Sequence, residues 1–518
     1  MKKSQDQTNT GSGFGELSFG WDIGLCLLVA VVAALLMPLD DADLPMHLRT
    51  GAWILDHGRL PLTEPFAWTR MGAPFFAYSW LPEVAYEGAR RAWGLRGVSV
   101  VHAVAVAGAV AAVWDLARAA RWSVWTTRLM LSVHVILWLL VQPATRPQLV
   151  LAIALPMAWA AAYRVGGAVS PVRGIVMAVL AAALAVNSHL LFLLTIVPVV
   201  VLFGAERFRV GRAVGFIVAT LGGWLCSPYA WQLLDILRLN FADNALFNAG
   251  SPIMEHEGGF SFLTHAAVGT RIVAAFLFII PLLGFFARLP HRARWWYGLA
   301  WLAGLGLFGL AIRGLLLWWL LALPLAAMAL ASIPLPELPL TKRLVIVSWI
   351  VTLLGLVGQS NKARRLMPVA LPLPHPESVA LAPAVRWITC ALAGSSVTAR
   401  DAWSARGTTI FNFGSLLAWS VPHVSWSMDG RTIFPDSVAL AEAPQPLLRG
   451  RIAHPPWRTS DLVILPATHL TGTLIDADSG WVRVPLIAID STVPARLWVR
   501  RAWMMQAPNA ASCTPVQP

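Results

Sequence analysis

Charge is scarce in this chain. Asp, Glu, Lys and Arg together make up 13% of its 518 residues, against 57% hydrophobic residues. A soluble domain carries roughly 25% charged residues. The deficit is spread over repeated apolar runs. It excludes an ordinary soluble domain and predicts an α-helical polytopic membrane protein. Lysine is scarcer still, with only four among the 39 basic residues: Lys2, Lys3, Lys342 and Lys362. The matching excess of Arg and Ala is also what biased genomic base composition gives. Cysteine is limited to four, with no CxxC pair, which excludes a cysteine-based metal site. Cys26 and Cys226 fall in apolar runs and read as small packing residues. Cys390 and Cys513 fall in the last segment and can pair if that segment is extracytoplasmic. No internal repeat is visible. No cleavable signal is expected, because residues 1–19 are polar and 23–39 read as a true span with Trp21 at its interface.

The net charge is +13. A basic balance can signal nucleic acid, but here the placement of the bases assigns it to membrane topology. Apolar runs suggest about eleven spans, near 23–39, 98–117, 129–141, 147–163, 174–186, 190–204, 213–226, 268–287, 296–311, 314–333 and 344–358. With Lys2 and Lys3 inside, the inner loops hold Arg118, Arg121 and Arg128; Arg164 and Arg173; Arg207, Arg209 and Arg212; Arg288, Arg292 and Arg294; and Lys342 with Arg343. The outer short loops carry only Arg146 and Arg313. This alternation is what the positive-inside rule requires. It predicts a cytoplasmic tail over 1–20, a transmembrane domain over 21–358 with a long external loop at 40–97, and an external unit over 359–518.

Within the long loop, "WLPEVAYEGARRAW" has the spacing of an amphipathic helix lying in the interface. Around Asn187–His189 the apolar pattern breaks, as in a re-entrant hairpin or a single broken unit. Loop 227–267 is polar and external, either a mobile active-site loop or a plain surface connection. In the last unit, "TTIFNFG", "DLVILPA", "VPLIAI" and "ARLWVRR" read as short strands between Gly, Pro and Asp turns. With a helix near Ala380–Ala393, they predict a small α/β domain ending in a loose tail.

One stretch breaks the scarcity of charge. "PLDDADLPMHLRTGAWILDHGRLP", from Pro38 to Pro61, places Asp40, Asp41 and Asp43 where the first apolar run stops. On a helix, Asp40, Asp43 and His47 would share one face. Asp43 with Pro45 also fits an ordinary helix start, aspartate as N-cap and proline in the first turn. That reading leaves Asp40 and Asp41 without a reason. Carboxylates so close repel, and such crowding usually serves a cation or a proton transfer. At the outer rim of a membrane, a carboxylate can take a proton from an acceptor hydroxyl while a lipid-linked donor presents its head group at the same depth. A phosphate leaving group then needs cationic or hydrogen-bonding partners. Arg146 in "ATRPQLV", His189 in "VNSHLL", Arg313 in "AIRGLL" and the run Glu255–His256–Glu257 all fall at predicted outer ends. Interface anchoring is the plainer reading of each. His134, mid-span, reads as bonded to a neighbouring helix.

These residues resemble the first external loop of the GT-C superfamily of glycosyltransferases, polytopic enzymes that use polyprenyl-phosphate sugars. In the aminoarabinose and mannosyl transferase branch an acidic motif opens this loop and a glycine follows before an apolar-Pro step. Here Gly58 stands fifteen residues after Asp43, before "RLP". A bacterial branch of the superfamily is more similar. It shares Asp41-Ala42-Asp43-Leu44, His47-Leu48 and Thr50-Gly51, then "HGRLP", "PFAWT", "AYSWLPEV", "RPQLV", "NSHLL", "SPYAW", "FNFGSLLAW" and "DGRTIF". The series spans nearly the whole chain. Pro45-Met46 replaces an aromatic pair, Leu44 stands where the transferase branch often has a second acid, and Glu64 where many relatives have aspartate.

The resemblance implies a sugar transfer from a polyprenyl-phosphate donor to a lipid, glycan or protein hydroxyl, with inversion, on the outer face of the bacterial inner membrane. It implies Asp43 as general base. Asp41 assists by orienting the acceptor or, with Asp43, by holding Mg²⁺ or Mn²⁺, which some members of the superfamily use and others do not. Two carboxylates alone are not a metal site. His47 would orient Asp43 or touch phosphate, and Arg146 and His189 would neutralise it. Asp40, Arg49, Glu83, Gln148, Glu255, His256 and Arg313 complete the candidate substrate-binding set. The "DGR" and "FNFG" segments either bind acceptor or simply turn. Two rivals stay open: a lipid or sugar transporter, which would carry mid-bilayer ions and paired repeats, and a non-catalytic scaffold that kept the fold. Asp43 buried and paired with a cation, with no cavity reaching lipid, would favour the scaffold.

Overall fold

The computed structural model describes residues 14–36, 39, 41–141, 145–167, 170–206, 208–242, 258–266, 268–286, 291–311, 314–332, 377–393, 405–429, 431, 456–486, 495–507, 509–510 and 512–513. A helical body comes first. It is built from α1 (Phe14–Leu36), α4 (Leu95–Ala119), α5 (Val124–Val141), α6 (Leu151–Gly166), α7 (Pro171–Val186), α8 (Val200–Gly204) and α9 (Val210–Trp224). It continues with the helices Val268–Gly284, His291–Leu310 and Gly314–Ser332. The two missing numbers belong to the external loop, where α2 is Leu44–His57 and α3 is Trp80–Trp93.

Ten of the eleven apolar runs fall on these helical segments, and the last, 344–358, lies outside the described residues. Three described helices, Leu95–Ala119, Pro147–Gly166 and Gly314–Ser332, are long and apolar enough to cross a membrane. Gly314–Ser332 is apolar all round, and Leu315 through Ala327 are buried, as a central helix requires. Small residues let backbones close. A Cβ on Gly223 of α9 would lie 2.5 Å from the carbonyl oxygen of Val179 in α7. At Asn187–His189 the chain breaks. It resumes as a 3-10 helix, Leu190–Val199, that runs into α8 and packs back on α7 and α6.

The last unit holds a five-stranded sheet of order β2-β1-β3-β5-β4. Its strands are β1 (Ala405–Thr408), β2 (Val424–Trp426), β3 (Leu462–Pro466), β4 (Trp481–Val484) and β5 (Ala495–Arg500). β1 pairs in parallel with β2 and β3, while β5 is antiparallel to β3 and β4. "DLVILPA" and "ARLWVRR" are strands as expected, and the helix near Ala380 is Ser378–Ala391. "TTIFNFG" is not a strand. β1 ends at Thr408 and a helix, Phe411–Ser420, begins within the motif, burying Phe413, Leu416 and Leu417. Of "VPLIAI", Val484 closes β4 and 487–489 lie outside the described residues. Cys390 and Cys513 form a disulfide. Cys26 is buried as expected of a packing residue, but Cys226 is exposed, because it follows the end of α9 rather than sitting inside it.

The external loop and this sheet domain share one core. Leu44, Leu48 and Tyr86 of the loop cluster with Leu381, Phe413 and Leu417. Hydrogen bonds to the backbone reinforce it. Ala67 bridges in parallel to Trp426, Ser425 Oγ donates to Phe66 O at 2.8 Å, and Trp68 Nε1 donates to Gly407 O at 2.9 Å. The loop thus docks on the sheet edge at β2 through one bridge.

Candidate functional site

The acidic stretch is a turn ahead of a helix, not a helical face. Helix α2 begins at Leu44, so Asp41 and Asp43 precede it, and Asp40 lies outside the described residues. Asp43 occupies the N-cap position with Pro45 in the first turn, yet its side chain makes no capping hydrogen bond. The helix-start reading therefore accounts for the position of Asp43 and not for its carboxylate. Asp41 accepts the Asp43 backbone N–H at 2.9 Å on Oδ1. Both its oxygens also accept from Arg146, Nε to Oδ2 at 2.7 Å and Nη2 to Oδ1 at 3.1 Å. The same Nη2 lies 3.3 Å from Asp43 Oδ2. The Asp41 carboxylate is buried, with 1% exposure against 26% for Asp43. Burial works against the charge of Arg146, but Asp43 and Asp41 outweigh it and hold the guanidinium protonated more firmly than a free arginine.

One turn into α2, His47 Nδ1 pairs with Glu83 Oε1 of α3 at 3.0 Å. Burial disfavours a charged His47. The hydrogen bond to Glu83 and the charges of Glu83, Asp43 and Asp41 prevail, and its pKa rises. The pairing depends on Gly51. A Cβ there would lie 2.2 Å from the Glu83 carbonyl oxygen, so only glycine lets α2 and α3 approach this closely. The "NSHLL" block then holds the start of α3, and "SPYAW" the segment before it. Trp80 Nε1 donates to Asn187 Oδ1 at 2.8 Å, and the Leu81 N–H to the Asn187 carbonyl at 3.2 Å. Tyr229 Oη donates to Pro61 O at 3.0 Å and accepts the Ala77 N–H at 3.2 Å. Burial pushes the Tyr229 phenol up to about 12, so it stays a donor.

These groups surround a pocket of about 290 Å³. Asp43, His47, Glu83, Arg146, Gln148 and His189 line it, so six of the predicted residues meet there. His189 Nδ1 accepts the Leu191 N–H at 3.1 Å, which places the ring proton of the neutral form on Nε2. Asp41 sits behind Arg146 rather than on the wall. Arg49 points elsewhere: its Nη2 donates to Pro422 O of the sheet domain at 3.2 Å. Glu255, His256 and Arg313 lie outside the described residues. The sheet domain supplies a wall from Phe411, Asn412 and Arg431. The "FNFG" and "DGR" blocks flagged these positions. What the sequence did not reveal is that Arg431 reaches back to Glu64, 367 residues away.

The donor set does not fit a divalent ion held by Asp41 and Asp43. Arg146 already stands between the two carboxylates and takes both oxygens of Asp41. Among the described residues no group of three His, Cys, Asp or Glu side chains converges as a metal site. Asp43 does pair with a cation, as the scaffold reading requires, but its side chain is 26% exposed and lines a pocket, whereas that reading expects it buried.

No family model and no curated protein matches the sequence. Solved structures do match the architecture. The archaeal oligosaccharyltransferase AglB from Archaeoglobus fulgidus, in complex with an inhibitory peptide and a dolichol-phosphate, aligns at a TM-score of 0.58 and 11% identity, over 88% of this chain and 70% of that one. The chain has the fold of the GT-C glycosyltransferases. ArnT from Cupriavidus metallidurans bound to undecaprenyl phosphate aligns at a TM-score of 0.51 and 12% identity, over 96% of this chain and 100% of that one. The arabinofuranosyltransferase AftD from Mycobacteria aligns at a TM-score of 0.52 and 15% identity, over 94% of this chain and 42% of that one.

Proposed function

We propose that the protein is a membrane glycosyltransferase. It moves a sugar from a polyprenyl-phosphate carrier to an acceptor hydroxyl on the outer face of the bacterial inner membrane. The observation that carries this reading is the pocket with Asp43 on its wall. It lies where α1 ends, where the chain enters α6 and where α7 breaks, at one end of the helical body beneath the loop and sheet domain. Solved examples of the fold hold a dolichol-phosphate or undecaprenyl phosphate. The pocket's ionisable groups gather at that end and not mid-bilayer, which favours transfer over transport.

In this reading the sheet domain and the loop 40–97 face the periplasm. Asp43 takes the proton of the acceptor O–H. The freed oxygen attacks the anomeric carbon from the face opposite the carrier. The C–O bond to phosphate breaks, the carrier phosphate leaves with the electron pair, and the configuration inverts. Arg146 and His189 face the same pocket and supply hydrogen bonds toward the leaving phosphate. General-base help contributes ~10²–10⁴ in rate. Purified Asp43→Asn is expected to lose about that factor with a polyprenyl-phosphate sugar donor, with an unchanged melting temperature. Normal turnover would remove Asp43 from the role. Mass spectrometry of lipid-linked sugars and surface glycans in a deletion strain names the sugar and the acceptor. An unaltered profile counts against transfer.

A further inference from the structure

The pocket contains one polar atom that this chemistry leaves idle. Glu83 is 6% exposed and lines the pocket. Its Oε1 is taken by His47, while Oε2 is buried with no hydrogen-bond partner among the described residues. A carboxylate oxygen that has lost water and gained no donor is costly. Such an atom in a folded protein calls for an explanation, and a ligand that brings the donor is one.

The surroundings make this a built site. His47 holds the carboxylate from one side, and the close contact at Gly51 with the Trp80–Asn187 bond holds the helix that carries it. Phe75, Phe76, Tyr78 and Phe411 line the same space. A volume of about 290 Å³ is at the small end of ligand pockets, roughly 300–1,000 Å³, and suits one ring rather than a glycan chain. Charge decides what can sit against Oε2. The described acids in and behind the pocket are Asp41, Asp43, Glu83, Glu64 and Asp429. They face Arg146, Arg431, Arg70 near Glu64 and Asp429 and, when protonated, His47. Arg146 and Arg431 are already engaged by two carboxylates each. A phosphate beside Glu83 would add to this acid excess, whereas a hydroxyl or amine would relieve it.

We infer that Glu83 recognises the sugar: its Oε2 accepts a hydrogen bond from an O–H or N–H donor on a single monosaccharide ring, with His47 holding the carboxylate in place. The assignment rests on the transfer reading above. Glu83 acts here as a specificity-determining residue and takes no proton in the reaction.

The test uses the full-length protein in detergent. Binding is measured for bare undecaprenyl phosphate and for undecaprenyl phosphate carrying a hexose, a pentose or an amino sugar. At least one sugar-bearing lipid is expected to bind ~10–100-fold more tightly than the bare lipid, the worth of a hydrogen bond to a charged acceptor. A preference confined to the amino sugar identifies an N–H donor, and one for a neutral sugar identifies a hydroxyl. Glu83→Gln turns a donor toward the ligand's donor. It is expected to abolish most of the preference, measured as the ratio of sugar-bearing to bare-lipid affinity, and Glu83→Asp is expected to restore part of it. A cooperative thermal melt in the same detergent shows that the variant is folded. If Glu83→Gln keeps the preference, or the wild type has none, the assignment is overturned. If the wild type binds none of the lipids, the transfer reading falls and this inference falls with it.

Discussion

Arg431 of the sheet domain donates to both carboxylate oxygens of Glu64 in the external loop, at 2.8 and 2.9 Å. The same guanidinium donates to both oxygens of Asp429, at 2.8 and 2.6 Å. Both carboxylates are almost fully buried. Burial works against the charge of Arg431, yet Asp429 and Glu64 overcome it and push its pKa up. Removing the cation leaves two buried carboxylates without the guanidinium that bonds all four of their oxygens. Breaking a buried pair costs ~3–5 kcal/mol. Arg431→Met is expected to lower the melting temperature in detergent markedly. Adding Glu64→Gln and Asp429→Asn is expected to recover part of the loss. A melt that does not move would show that this cluster does not hold the loop to the domain.

Gly51 supports a sharper contrast. Alanine there would put a Cβ 2.2 Å from the Glu83 carbonyl oxygen and 2.9 Å from Glu87 Cβ. The helices must separate, and overpacking of this kind costs ~1–3 kcal/mol. The His47–Glu83 bond would be lost with the separation. Gly88→Ala, on α3 itself, meets nothing within 4 Å and is expected to stabilise, since alanine is the better helix former. Thermal melts of the two variants should therefore move in opposite directions.

His47 gives a pH signature. Its folded pKa is raised: burial opposes the charge, but Glu83, by hydrogen bond and charge, and then Asp43 and Asp41 outweigh it. A raised histidine contributes stability fully below its unfolded pKa, ~6.5, and loses that contribution as pH climbs through the folded value. The wild type should thus lose melting temperature relative to His47→Gln as pH rises above about 6.5. Two parallel melting curves over that range would rule out a charged His47–Glu83 pair.

Much of the helical body and part of the site were legible in the sequence, for a physical reason. Apolar runs and an acidic cluster at a rim are local patterns, and local patterns survive in one dimension. Hence the helical segments appear where expected, and Asp43, His47, Arg146 and His189 share one pocket. Tertiary contacts are not local. The spacing of Asp40, Asp43 and His47 suggested a helical face because nothing in the spacing says that α2 starts only at Leu44. "TTIFNFG" has strand-like residues, yet burial of Phe413 and Leu417 against Leu44 and Leu48 makes its second half a helix. The apposition of Glu83 with His47, and of Glu64 with Arg431, follows from the fold and from no motif.

The disulfide ties the argument to topology. Cys390 and Cys513 are joined across 123 residues, while Cys26 and Cys226 are free thiols. Disulfides persist in oxidising compartments and are rare in the cytosol. In the proposed topology the sheet domain faces such an oxidising compartment. Intact cells treated with a membrane-impermeant maleimide should label neither Cys390 nor Cys513, and after reduction with an impermeant phosphine they should label there. Cys390→Ser removes a long-loop crosslink, and losing a native disulfide typically costs ~2–5 kcal/mol. Limited proteolysis of that variant should cut within the sheet domain at protease levels that leave the wild type intact. Two cysteines that label in intact cells without prior reduction would remove the bond, and two that label only after lysis would place the domain on the cytoplasmic side, where the proposed donor chemistry has no access to it.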